Sequence, residues 1–127
     1  MERDVRRMTR AIAHRGPDDS GIWTDSDAGI ALGHRRLSIL DTSSCGHQPM
    51  TSPSGRYVMV YNGEAYNFAE LRGTLEAGGV APAWRGHSDT AILLAGFDHW
   101  GIPGTLKRTN GMFALAVWDR SERTLTL

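Results

Sequence analysis

Apolar residues recur at Met1, Val5, Met8 and Ile12, a helical spacing, while Arg3, Arg6, Arg7 and Arg10 fall on the other side. The pattern predicts a short amphipathic helix whose arginines form either a solvated face or an anion patch. Gly16-Pro17 ends it, because proline lacks an N–H and disfavours helical geometry in the residue before it. Strand-like segments follow at Gly21–Thr24 and Ile30–Leu40, separated by the polar Asp25-Ser26-Asp27. The Gly-, Ser- and Pro-rich stretch Thr42–Gly55 reads as a loop too polar to be core. Arg56–Tyr61, rich in β-branched and aromatic residues, predicts a strand.

Two helices come next. Asn67 with Glu70 three positions on has the form of a capping box, Phe68, Leu71 and Leu75 make one apolar stripe, and Gly78-Gly79 closes the helix. The second runs from about Ser88 to Trp100; Ile92, Leu93, Leu94, Phe97 and Trp100 cover a wide arc, so it is expected to be well buried. Asn110-Gly111 then turns into Met112–Trp118, a continuous apolar run that suits a strand covered on both faces. The loop Asp119–Arg123 leads to Thr124–Leu127, which alternates strictly and stops inside its pattern, as expected of a chain cut mid-domain. The whole order predicts an α+β fold of antiparallel sheets packed against helices.

Composition narrows the class. At 127 residues the chain is expected to be one domain, and its 14 basic and 14 acidic side chains cancel. That balance gives no field for nucleic acid or anionic lipid, so neither is an expected partner. No apolar run approaches the roughly 20 residues of a membrane-spanning helix, and the first residues lack a signal-peptide core. The single Cys45 excludes an internal disulfide, in keeping with a reducing, cytoplasmic setting.

Several chemistries have no support. The chain has no phosphate-binding Gly-rich loop, no G-x-G-x-x-G and no Gly-x-Ser-x-Gly elbow. His14, His34, His47, His87 and His99 neither pair at i, i+4 nor sit beside clustered cysteines, so no metal site is expected. What remains are polar groups at element ends. The Asn62 amide and the Gly63 N–H could both point at one oxyanion, or Asn-Gly could simply be a hairpin turn. Arg36 could clamp a carboxylate bidentately or face solvent from a strand. Asp89 lies in a helical first turn, where the dipole favours a carboxylate whatever its function.

Longer blocks say more. His14-Arg15-Gly16-Pro17-Asp18-Asp19-Ser20-Gly21, Arg36-Leu37-Ser38-Ile39-Leu40-Asp41, Gly46-His47-Gln48-Pro49-Met50 and Tyr61-Asn62-Gly63-Glu64 occur in order. They are followed by Ala65-Tyr66-Asn67-Phe68, Glu70-Leu71-Arg72, His87-Ser88-Asp89-Thr90 and Asn110-Gly111-Met112-Phe113-Ala114. The series, spanning nearly the whole chain, resembles the glutaminase domain of glutamine-hydrolysing asparagine synthetases, a branch of the class II glutamine amidotransferases. The resemblance implies an N-terminal nucleophile hydrolase-like fold, a four-layer sandwich of helices around two antiparallel sheets, here expected to be incomplete. In that chemistry an N-terminal cysteine attacks the side-chain amide of glutamine and releases ammonia. Its own α-amino group, titrating at about 7.7–8.0, serves as the base near neutral pH.

Carried onto this chain, the resemblance makes Asn62 and Gly63 the oxyanion hole and Arg36 the partner of the glutamine α-carboxylate. Leu37, Ser38, Ile39 and Leu40 would line the site, and Glu64 and Asp89 would face the α-ammonium. The chain departs from the pattern at its start, Met1-Glu2-Arg3, where the family has its cysteine; Cys45 is internal and has no α-amino group. Ala91 stands where the family carries glutamate, and Ala65 replaces a larger apolar residue. The expected reading is a partial glutaminase domain spanning residues 1–127, inactive alone. It would hold no cofactor itself and would belong to an enzyme whose C-terminal synthetase domain uses ATP and magnesium to amidate aspartate. That enzyme could be a homodimer. The alternatives are a non-catalytic glutamine-binding module, or the glutaminase part of an amidotransferase with another acceptor.

Overall fold

Strand β4, Tyr57–Ala65, is the axis of the molecule. The computed structural model describes residues 1–37, 46–84, 86 and 88–127. β4 pairs antiparallel along its whole length with β5, Gly111–Asp119, in the register Tyr57↔Asp119 to Ala65↔Gly111. β3, Met50–Thr51, flanks β4 on its other edge, and β6, Thr124–Thr126, flanks β5. β1, Asp19–Asp25, and β2, Ile30–Arg36, form a separate antiparallel hairpin. The helices are α1, Glu2–Ala11, α2, Phe68–Ala77, and α3, Asp89–Arg108.

Strand parity sorts the core into two halves. Tyr57, Met59 and Tyr61 of β4 pack with Leu71 and Leu75 of α2 and Ile92, Leu93, Leu94 and Phe97 of α3. Val58, with Trp118 of β5, packs against Leu32 of β2, supported by Trp23, Ile30 and Val60. α1 covers the outer face of the hairpin at Gly33, where a β-carbon would overlap Val5 and Thr9. The result is four layers in the order helix, hairpin, sheet, helix pair, an α+β fold as the pattern of elements implied.

Several boundaries differ from the sequence reading. β1 begins at Asp19, before Gly21, and β2 ends at Arg36 rather than Leu40. Ser38, Ile39, Leu40 and Cys45 lie outside the described residues, as does His87. On α1 only Val5 of the expected apolar face turns inward, with Thr9; Met8 is 66% exposed and Ile12 48%. The physical reason is the narrow contact at a residue without a side chain, which admits one i, i+4 pair and leaves the flanks uncovered. Arg6 pairs with Glu2 at 2.6 Å on the exposed side.

The expected loop over 42–55 holds core: Met50–Thr51 extend the sheet, and Gln48 and Ser52 are buried. They are tolerated there because each is hydrogen-bonded, Ser52 Oγ accepting from the Tyr57 N–H at 3.1 Å. In α2, Leu71 and Leu75 are buried but Phe68 is 41% exposed. Asn67 makes no capping bond. Its amide instead bridges the end of α3 to β5, donating to Arg108 O at 2.8 Å and accepting from the Asn110 N–H at 2.8 Å.

α3 does not stop at Trp100. Gly101, at φ 76° and ψ 173°, kinks it, and a further stretch to Arg108 packs Ile102 and Leu106 onto the core. β5 is covered on both faces only in its second half: Val117 and Trp118 are buried, whereas Met112 is 74% exposed. Ala65, the small residue in the Asn-Gly-Glu block, is buried at the end of β4.

Candidate functional site

The Asn-Gly pair is not a hairpin turn. Asn62, Gly63 and Glu64 remain in β4, opposite Ala114, Phe113 and Met112 of β5. Gly63 has φ +144°, and a β-carbon there would overlap the Met112 carbonyl and Phe113. Only glycine keeps the pairing at this point.

This end of β4 forms one wall of a cavity of about 950 Å³ between the hairpin and the sheet. Its lining brings together Arg36 and Leu37 from the end of β2, Asn62, Gly63 and Glu64 from β4, and Asp89 from the start of α3. All the candidate residues that are described therefore share one cavity. Ala114, Leu115 and Ala116 of β5 give it an apolar floor, a mixture usual for small-ligand sites.

Each polar side chain has a local reason for its place. Arg36 follows Leu32 and His34 at strand spacing, so all three belong to the inner face of β2. Its guanidinium lies against Gly46, where a β-carbon would overlap it. Gly16 is as tightly packed, against the main chain of Arg35 and Arg36, and its carbonyl accepts from Arg35 Nε at 3.0 Å. The Asp18 N–H donates to the Arg36 carbonyl at 3.0 Å. The His-Arg-Gly-Pro and Gly-His-Gln-Pro blocks thus build the seat of Arg36.

Asp89 is not the N-cap of α3. Ser88 holds that role, accepting from the Thr90 N–H at 3.1 Å. Asp89 Oδ2 instead accepts from the Tyr61 hydroxyl at 3.0 Å and the Ala65 N–H at 2.9 Å. Burial, with the Asp89 carboxylate beside it, raises the Tyr61 hydroxyl far above its ordinary range, so Tyr61 is a neutral donor. Asn62 and Glu64 make no side-chain hydrogen bond among the described residues, leaving an amide and a carboxylate available in the cavity.

Sequence reasoning missed the residues that hold this wall. Gln48 Oε1 accepts from the Tyr61 N–H at 2.6 Å, and His34 Nε2 donates to the Tyr61 carbonyl at 3.0 Å. Burial lowers the His34 pKa, outweighing the Tyr61 bond and Asp19, so the ring is held neutral. For His34 the signal was parity with Leu32; for Gln48, inside a polar loop, no local signal existed. Nearby, His47 Nδ1 pairs with Asp19 Oδ2 at 2.6 Å. Burial works against ionisation of Asp19, but bonds from His47 and the Ser20 N–H outweigh it and lower its pKa.

No group of three His, Cys, Asp or Glu among the described residues is arranged to hold a metal ion. No helix among them is long and apolar enough to cross a membrane.

Known proteins resemble this chain along nearly its whole length. Asparagine synthetase (glutamine-hydrolysing) 1 of Bacillus subtilis is 39% identical over 125 residues, covering 98% of this chain. A Mycobacterium tuberculosis protein provisionally given the same name is 41% identical over 128 residues, covering 95%. Amidase chry2 of Gibberella zeae is 36% identical over 116 residues. The chain spans 19% of the length of the first two and 16% of the third. The family model of the glutamine amidotransferase domain matches residues 1–127, and the chain belongs to that family.

Proposed function

We propose that this chain supplies the glutamine-binding wall of a glutaminase, within a longer asparagine synthetase-like enzyme. One observation carries the reading: a single cavity is lined by Arg36 among three arginines, by the two carboxylates Glu64 and Asp89 and by an Asn-Gly pair. Free glutamine carries an α-carboxylate, an α-ammonium and a side-chain carbonyl, and this set complements all three. Arg36 takes the α-carboxylate, with Leu37 beside it. Glu64 and Asp89 face the α-ammonium. The Asn62 amide and Gly63 N–H receive the oxyanion that forms when the amide carbon is attacked, and such donors each lower a barrier by about 2.7–4 kcal/mol.

The attacking thiol of this chemistry is an N-terminal cysteine, and the residues gathered here supply the binding groups and the oxyanion donors that it works with. In the longer enzyme, a synthetase domain with ATP and magnesium would consume the ammonia to amidate aspartate, in the cytoplasm and in a homodimer. The acceptor would be chosen by that other part.

Calorimetry with L-glutamine tests the reading. Binding is expected, and loss of the charged clamp in Arg36→Ala should weaken it at least tenfold, the scale of a charge-assisted hydrogen bond. No binding by the unmodified chain, or binding indifferent to Arg36, would sink the proposal.

A further inference from the structure

Tyr61 is gripped by side chains from three separate segments. Its N–H donates to Gln48, its carbonyl accepts from His34, and its hydroxyl donates to Asp89. The ladder register explains the first bond. β3 pairs Met50 with Met59, and two residues further the same register would set Gln48 opposite Tyr61. Pairing stops short of that, and the Gln48 carbonyl instead lies against Gly21 of β1, so close that a β-carbon there would overlap it. The Gln48 side chain reaches back to β4 and takes the N–H that a neighbouring strand would have taken. His34 is the ladder partner of the same Gly21, so both groups stand at one junction between hairpin and sheet.

The consequence lies one peptide further on. The Tyr61 carbonyl and the Asn62 N–H belong to a single planar peptide unit. A bond that orients the carbonyl therefore orients the start of the Asn62-Gly63 segment. The other end of that segment is tied by the Ala65 N–H to Asp89.

We propose that His34 and Gln48 are positioning residues that lock the Tyr61–Asn62 peptide and so fix the Asn62 and Gly63 donors toward the ligand's amide oxygen. The role in binding rests on the function proposed above; the lock itself does not. Both also line the cavity, but the role proposed here acts through the Tyr61 main chain rather than through ligand contact.

The test uses the full chain and three variants: His34→Leu and Gln48→Met, which remove a partner, and His34→Gln, whose amide can restore the donor. Amide hydrogen exchange without ligand reads the lock, and calorimetry with L-glutamine at pH 7.5 reads its effect. Removing either partner should speed exchange at Tyr61, Asn62 and Gly63 about tenfold more than at Leu93 in α3, and weaken glutamine binding by about tenfold. His34→Gln should stay within about threefold of the unmodified chain in both. A merely structural role would move all amides together and would not be rescued. Exchange at residues 61–63 that follows Leu93, or a His34→Gln indistinguishable from His34→Leu, overturns the proposal. If His34→Leu does not fold, Gln48→Met carries the same comparison. A chain that binds no glutamine overturns the proposed function, while exchange still decides the lock.

Discussion

Two glycines in this chain have opposite meanings. Gly63 sits at φ +144° with main chain where a β-carbon would go, whereas Gly73 lies in α2 with open space around it. Gly63→Ala is expected to cost about 1–3 kcal/mol and to abolish glutamine binding, while Gly73→Ala should stabilise by roughly 0.5–1 kcal/mol through helix propensity. Urea denaturation of the two variants checks both signs. Letters alone do not separate them. The Asn-Gly dipeptide carries the signal of a hairpin, and only the pairing of Gly63 with Phe113 shows an extended strand. Arg36 was more legible, because its spacing from Leu32 puts both on one face.

At the scale of elements, Asn67 is the instructive case. An N-cap needs only a side-chain acceptor, so an aspartate would serve equally. A bridge that donates to Arg108 and accepts from Asn110 needs both halves of an amide. Asn67→Asp and Asn67→Ala should therefore both destabilise, by about 1–2 kcal/mol. Thermal unfolding in which Asn67→Asp matches the unmodified protein would restore the capping reading. α3 carries a related lesson. Gly101 and Pro103 follow the expected end at Trp100, and the helix does break at Gly101. It resumes because Ile102 and Leu106 have a core to enter, which local propensity does not contain.

Across the whole molecule, charge links distant parts and makes stability depend on pH. Asp119 is buried and accepts from Arg56 Nε and Nη2 at 2.9 and 2.8 Å and from the Ser121 and Glu122 N–H groups. The Arg56 bonds, against the effect of burial, lower its pKa below 3.8. Its contribution is present above the unfolded value and is lost as pH falls through the folded one. His34 is lowered below 6.5 by burial, so below pH 6.5 the unfolded chain takes up a proton that the folded chain refuses. Stability should accordingly decline in two stages on acidification, first below about 6.5 and again below about 3.8. Urea titrations across pH 3–8 would reveal this. His34→Gln should remove the first stage alone, and a first stage that persists in it would refute the assignment. Asp119→Ala should cost about 2–4 kcal/mol near neutral pH, because it leaves a guanidinium and two N–H groups without their acceptor.

Periodicity and turn residues by themselves determined the order of helices and strands apart from β3, the α+β class and most of the core. Those depend on which neighbours along the chain share a face, and 3.6- and 2-residue spacings record that directly. The motif blocks determined the family and named the polar groups that the cavity gathers. Tertiary structure alone decided that Asn62-Gly63 stays in a strand, that Asp89 ties β4 rather than capping α3, and that Gln48 and His34 brace Tyr61. Each is a contact between residues 13 or more apart in the chain, chosen by whichever buried donor or acceptor lacked a partner. A backbone group left open by the end of β3 carries no mark in the sequence, and it is the packing of the hairpin on the sheet that brings Gln48 and His34 to it.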